Sequence, residues 1–199
     1  MLEGVVRAGE RAAELTGKML AYAGEGALYV ERTDLNRLVR ETCDSLRASI
    51  PPTIQIDIRP APDRATVFVD TRQMRQVIVD LVRNAAESIR EDAAGVITVR
   101  TAIEEVSETA LPAMAAGTYV ALEVRDNGCG MDEELQQKIF DPFFSTKFAG
   151  RGLGLAAVHG FVRSSGGGVH VDSSPGQGTR FRILLPVESL QTESLGMTP

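Results

Sequence analysis

A strand-like apolar run ends in Asp126-Asn127-Gly128-Cys129-Gly130, and further along Gly150-Arg151-Gly152-Leu153-Gly154-Leu155 leads into an apolar helical pattern. The first segment offers an acidic anchor beside a bare backbone, and the second is a glycine turn feeding a helix, an arrangement by which proteins hold phosphates. Together they point to a nucleotide pocket.

Around these two loops helices and strands alternate without the even spacing of parallel crossover units. Val5, Ala8, Ala12, Leu15, Met19 and Ala23 form one stripe that predicts an amphipathic helix over residues 5–23, with Arg7, Arg11, Glu14 and Lys18 on its far side. Thr33 or Asp34 is placed to cap a second helix carrying Leu35, Leu38, Val39, Cys43 and Leu46 as far as Pro51-Pro52. Strands are predicted at 54–58 and 66–69, then a long helix over 71–90. Further strands at 96–103 and 119–125 precede a short helix at 132–139 and a helix at 152–165. Two last strands, 169–172 and 180–185, are joined through Pro175-Gly176-Gln177-Gly178. This order predicts an α/β fold, a two-layer sandwich of a mixed sheet and helices. The polar, aperiodic stretch over 189–199 is expected to be a linker or frayed tail.

Charge and cysteine usage exclude some classes of partner. Lys and Arg number 21 against 27 Asp and Glu, a net charge of -6, so a broad basic surface for nucleic acid is not expected. Cys43 and Cys129 are the two cysteines, without the spacing of a disulfide framework or zinc site, which fits a reducing cytoplasm. Residues 1–10 show neither a signal-peptide core nor a bilayer-crossing run. A cytoplasmic portion is expected, whose parent protein can still be membrane-associated.

On the helix at 71–90, Met74, Val77, Ile78, Leu81 and Ala85 make an apolar arc, and Asp80 and Asn84 line its edge four residues apart. An amide oxygen and a carboxylate suit Mg²⁺ that keeps several waters, although the same spacing also describes a solvated helix shoulder. Asp126 can accept from the exocyclic amine of adenine or serve as an ordinary turn carboxylate. The glycine turn at Gly150, Gly152 and Gly154 can expose amide donors to phosphate or simply turn the chain. No Gly-Lys-Ser or Gly-Lys-Thr follows it, so it is not a Walker loop.

In order, Asp80 to Asn84, Asp126 to Gly130, Asp141-Pro142-Phe143-Phe144 and Gly150 to Leu155 resemble the N box, first glycine box, F box and second glycine box of sensor histidine kinases. Gly176-Gln177-Gly178-Thr179, followed by Phe181, is similar to that family's closing hairpin. The likeness covers residues 33–186 and implies the Bergerat ATP-binding fold, shared with gyrase, mismatch-repair and heat-shock chaperone ATPases. It implies that Asn84 ligates Mg²⁺, that Asp126 binds the adenine amine, and that Gly128 and Gly130 let the base approach the backbone. It further implies that Gly150, Gly152, Leu153 and Gly154 cradle the phosphates under a short lid over residues 145–151, with Lys147 and Arg151 near the terminal phosphates. The implied domains are a partial dimerisation helix at 1–30, an ATP-binding catalytic domain at 31–188 and a linker or disordered tail at 189–199.

Three departures shape the expectation. Asp80 stands where many relatives have Asn and where the gyrase and chaperone branches place a Glu that activates water. Ser88 stands where some relatives stack an aromatic ring on adenine, so adenine packing is expected to rest on aliphatic neighbours. The acceptor histidine followed by an acidic residue is absent: His159 precedes Gly160, His170 precedes Val171, and both are read as structural. The segment over 8–23, with Arg11-Ala12-Ala13-Glu14-Leu15-Thr16, resembles the second helix of the family's dimerisation hairpin. The resemblance thus implies a kinase domain that passes the ATP γ-phosphate to a histidine outside this chain, within a phosphorelay that includes a response regulator. The apolar stripe on residues 5–23 predicts either a homodimer or docking against the chain's own domain. Two alternatives are an ATPase that uses Asp80 as base and a catalytically silent nucleotide-binding regulatory module.

Overall fold

Asp34 and Asp70 each close a strand and open a helix. Strand β1 (Val30–Asp34) runs into α1 (Leu35–Leu46), and the Asp34 side chain accepts from Arg37 N at 3.2 Å. Strand β3 (Thr66–Asp70) runs into α2 (Thr71–Ser88), where Asp70 Oδ1 accepts from Arg72 N at 3.0 Å and Gln73 N at 3.1 Å. Such caps satisfy amides that the first helical turn leaves without partners, and each is worth about 1 kcal/mol. The computed structural model describes residues 29–90, 92–107, 114–145 and 152–187. The expected helix at 5–23, the residues Lys147, Gly150 and Arg151, and the tail at 189–199 lie outside the described residues.

β1 and β3 pair as an antiparallel ribbon, with Val30 opposite Asp70 and Asp34 opposite Thr66. The other strands are β2 (Ile54–Arg59), β4 (Gly95–Val106), β5 (Gly117–Asp126), β6 (Gly168–Ser173) and β7 (Thr179–Pro186). They form a five-stranded sheet in the order β2-β4-β5-β7-β6. Only the β2–β4 pair within that sheet is parallel, which makes the sheet mixed as expected. A short helix α3 (Glu133–Lys138) and a longer α4 (Gly154–Ser164) complete the described elements.

Period-two alternation gives the sheet two unlike faces. The inner face presents Ile97, Val99, Val120, Leu122, Val124, Phe181, Ile183 and Leu185, all buried in the core. Against it pack Leu35, Leu38, Val39, Met74, Ile78, Leu81, Val158, Phe161 and Val162 from α1, α2 and α4. A fully buried Leu or Ile contributes about 2 kcal/mol, so this layer dominates the stability of the fold. Cys43 lies in it, and burial pushes its thiol up to about 11. The outer face instead carries ion pairs, among them Arg180 with Asp172 and Arg182 with Glu104. One small apolar group of Val106, Tyr119, Ala121 and Leu184 interrupts that charged surface.

β1 is not foreseen from the sequence, because Thr33 is its only fully buried residue and its partner strand lies far along the chain. α2 stops at Ser88, short of the expected Arg90, where Ile89 turns to an extended backbone. The two histidines lie in different settings. His159 stacks on Phe140 with ring centroids 5.0 Å apart, and burial lowers its pKa. His170 sits on the outer face, 3.0 Å from Asp172.

Candidate functional site

Helix α2 is the shoulder of the site. Its apolar arc, Met74, Val77, Ile78, Leu81, Val82 and Ala85, faces the core, which leaves Asp80, Asn84 and Ser88 at four-residue intervals along one edge. At 1.5 Å rise per residue, Asp80 and Ser88 are about 12 Å apart along the axis. One end of this edge meets the loop after β5, and the other meets the start of α4.

At the first end the inward alternation of β5 carries Asp126 to the strand's tip, where it is only 5 % exposed. Its Oδ1 accepts from Ser88 Oγ at 3.0 Å, Gly128 N at 2.8 Å and Thr179 N at 3.2 Å. Its Oδ2 takes no hydrogen bond from the described residues and is not sealed from solvent. Burial pushes the Asp126 carboxyl above its ordinary range, and the three donors offset only part of that rise. The site therefore contains a fixed carboxylate with one oxygen, Oδ2, that no donor among the described residues occupies.

The loop that follows is held on several sides. Cys129 N donates to Ser88 O at 3.0 Å, Cys129 O accepts from Gly176 N at 2.7 Å, and Asn127 Oδ1 accepts from Val96 N at 2.8 Å. Gly128 lies so close to α2 that an added Cβ would stand 1.9 Å from Ser88 Oγ. Only glycine permits that approach. Gly130, in the same loop, lies against Ser174 O.

At the second end Leu153 precedes α4 without a capping side chain, so the first amides of the helix have no side-chain acceptor among the described residues. A helix N-terminus in that condition favours an anion. Gly154 begins α4 beside Asp80: a Cβ added there would be 3.6 Å from Asp80 Oδ2, an ordinary contact. Asp80 Oδ1 accepts from Gln76 Nε2 at 2.9 Å. Asn84 is half-buried, and its side chain makes no hydrogen bond within the described residues.

Gly152 is a junction between two of the sequence motifs. Its carbonyl accepts from Phe143 N at 3.0 Å, and a Cβ at Gly152 would lie 2.5 Å from the Phe143 carbonyl carbon. Phe143 adopts a φ of 66°, rare for a bulky residue, and its side chain is 68 % exposed.

The structure thus brings Asp126, Gly128 and Gly130 together at one end of the α2 edge, and Gly152, Leu153, Gly154 and Asp80 near the other, with Asn84 between them. Lys147, Gly150 and Arg151 fall outside the described residues. Sequence reasoning missed Ser88 and Thr179 as supports of Asp126, and Gln76 as a partner of Asp80. The Gln76 contact is an i, i+4 pair that helical spacing could have revealed. The other two carry no local signal, since they lie 38 and 53 residues from Asp126.

Residues 69–189 match the family described as histidine kinase-, DNA gyrase B-, and HSP90-like ATPase. Sensor kinase CckA of Brucella abortus is 35 % identical over 181 residues, which cover 88 % of this chain and 19 % of that protein. Sensor histidine kinase ZraS of Klebsiella oxytoca is 30 % identical over 193 residues, covering 96 % of this chain and 39 % of that protein. The chain therefore spans well under half the length of these curated relatives. Among solved structures, the nucleotide-free catalytic domain of histidine kinase ThkA aligns with a TM-score of 0.63 at 28 % identity, over 79 % of this chain and 95 % of that one. Full-length ShkA in complex with AMPPNP aligns with a TM-score of 0.70 at 25 % identity, over 92 % of this chain and 37 % of that one. By sequence, sheet order and the loops gathered along α2, this chain belongs to the histidine kinase-, DNA gyrase B- and HSP90-like ATPases, as a sensor histidine kinase ATP-binding domain.

Proposed function

We propose that this chain binds ATP and donates its γ-phosphoryl group to a histidine outside the chain, as the kinase unit of a two-component sensor. The observation that carries this reading is Asp126, buried and fixed through Oδ1, with Oδ2 left without a donor among the described residues. An ionised carboxylate oxygen in that state selects a donor such as the purine 6-amine. Gly128 and Gly130 let the base lie against the backbone, while Gly152, Leu153 and Gly154 present the α4 amides to the phosphates. Lys147, Gly150 and Arg151 are assigned to the phosphate end from their sequence positions.

Mg²⁺ fits the donor set at the middle of the α2 edge. The Asn84 amide makes no competing hydrogen bond within the described residues, and those residues contain no cluster of three His, Cys, Asp or Glu side chains that would cage a metal. A single amide ligand suits an ion that keeps its waters and shares phosphate oxygens. Asn84 would hold it, with Asp80 reaching its water shell, and the ion would neutralise charge on the transferring phosphoryl group. The chain's own contribution is alignment of donor and acceptor: the N–P bond to the acceptor imidazole forms as the bond to the ADP oxygen breaks.

The proposed partners are an acceptor-histidine helix or domain and a response regulator. The proposed domain plan is a dimerisation helix at 1–30, the ATP-binding unit at 31–188 and a linker at 189–199. No helix among the described residues is long and apolar enough to cross a membrane, and a cytoplasmic location is proposed. Incubation with γ-labelled ATP and Mg²⁺, with and without a separate acceptor-helix peptide, tests the reading. Label that appears only with the peptide, and is lost in acid but kept in base, is expected; no transfer to any acceptor hairpin would overturn it.

A second reading rests on Asp80, which sits beside the start of α4 with Gln76 holding its Oδ1. That placement suits a base for water attack on ATP. Steady phosphate release without an acceptor, abolished by Asp80→Asn, would favour an ATPase over the kinase.

A further inference from the structure

Ser88 commits three of its parts to the loop that carries Asp126. Its hydroxyl donates to Asp126 Oδ1 at 3.0 Å, and its carbonyl accepts from Cys129 N at 3.0 Å. The space above it is taken by Gly128, where a Cβ would come within 1.9 Å of Ser88 Oγ. With Gly128 N and Thr179 N on the same oxygen, Oδ1 receives three donors and has no lone pair left for a ligand. Turning the carboxylate would break all three bonds at once. The only acceptor it can offer is Oδ2.

We propose that Ser88 is a positioning residue that fixes the Asp126 carboxylate so that it accepts a purine 6-amine and rejects a purine 6-carbonyl. The proposal rests on the assignment of Asp126 as the base-recognising group. An ionised Oδ2 attracts an amine N–H and repels a carbonyl oxygen. A protonated carboxyl can instead donate to that carbonyl, and discrimination is then lost. Of the three donors to Oδ1, two are backbone amides that no substitution of their own side chain removes. Ser88 is the one replaceable side-chain donor. Its single hydroxyl proton has a second acceptor, Ala85 O at 2.8 Å, so the donor is not left without a partner when Asp126 is protonated.

The test compares MgATP with MgITP, which carry the same triphosphate and differ at purine position 6, by calorimetric titration of the full chain from neutral to mildly acid pH. Wild type should prefer ATP. In Ser88→Ala, ATP binding is expected to weaken about tenfold, as for loss of a hydrogen bond to a charged group. ITP binding should hold or tighten, and the acid loss of ATP affinity should begin at higher pH, because one donor to the charged form is gone. Should Ser88→Ala also lower the thermal midpoint, the ratio of the two affinities still decides, since a damaged fold weakens both nucleotides alike. An ATP-to-ITP ratio and pH profile unchanged by Ser88→Ala would overturn the role of Ser88 alone. A wild-type chain with no preference for ATP would overturn the assignment of Asp126, and this proposal with it.

Discussion

The two ends of the α2 edge are built differently. At the Asp126 end the loop is bonded through its backbone to α2 and to the turn before β7, and through the Asn127 side chain to β4, and the carboxylate is held by three donors. At the α4 end Leu153 provides no capping side chain, and the Asn84 side chain makes no hydrogen bond among the described residues. Under the proposed function, the first end would receive the rigid, flat base, whose recognition depends on direction. The second leaves donors and an amide that, under the same proposal, the triphosphate and its metal ion would satisfy.

Substitutions at each end would break or sharpen this contrast. The largest effect is expected from Asp126→Asn, which removes the charge from a buried, three-bonded acceptor. ATP affinity should fall by about a hundredfold, or roughly 3 kcal/mol, by calorimetry, and unchanged affinity would remove the base-recognising end from the account.

Next comes the pair Gly152→Ala and Gly154→Ala. The first drives a methyl into the Phe143 backbone at 2.5 Å and should cost about 1–3 kcal/mol in a denaturant titration. The second has room at 3.6 Å and should leave fold stability at or slightly above wild type. Equal costs would mean that the two glycines do not have the separate roles drawn here.

Asn84→Ala should lower Mg²⁺-dependent ATP affinity about tenfold, 1.4 kcal/mol, while binding in excess chelator changes little. A loss of equal size with and without the metal would place Asn84 outside the metal site.

The smallest and most gradual effect is that of pH, and its two signs oppose each other. Because burial raises the Asp126 pKa, the folded chain binds that proton more tightly than the unfolded chain. This group's stabilising contribution is present below its ordinary carboxylate value and is lost as pH rises through the raised folded value. ATP affinity, which needs the ionised form, should move the other way and decline as pH falls through the raised value. Parallel thermal and binding profiles across mildly acid pH check both signs, and an affinity that rises on acidification would contradict the assignment.

Legibility in the sequence follows the same division between local and distant causes. α2 was readable because Met74, Val77, Ile78, Leu81 and Ala85 repeat at helical spacing, and Asp126 because an alternating strand delivers it into a glycine-rich loop. The mixed sheet was readable as a class, but its order β2-β4-β5-β7-β6 depends on pairings between segments far apart in the chain. β1 was not legible because its one fully buried residue, Thr33, leaves no periodic signal. Ser88 drew notice only for lacking an aromatic ring; its hydroxyl acquires meaning only when the fold brings Asp126 to within 3.0 Å.

The hydrogen bond from Phe143 N to Gly152 O closes a circuit in the chain just where the F box meets the second glycine box. With both feet of that circuit fixed to each other, the polymer between them can grow or shrink without reshaping the sheet. Doubling its length would add only about 0.6 kcal/mol of ring-closure entropy. Evolution can therefore vary the length of chain between Phe143 and Gly152 while the frame on either side of it stays the same.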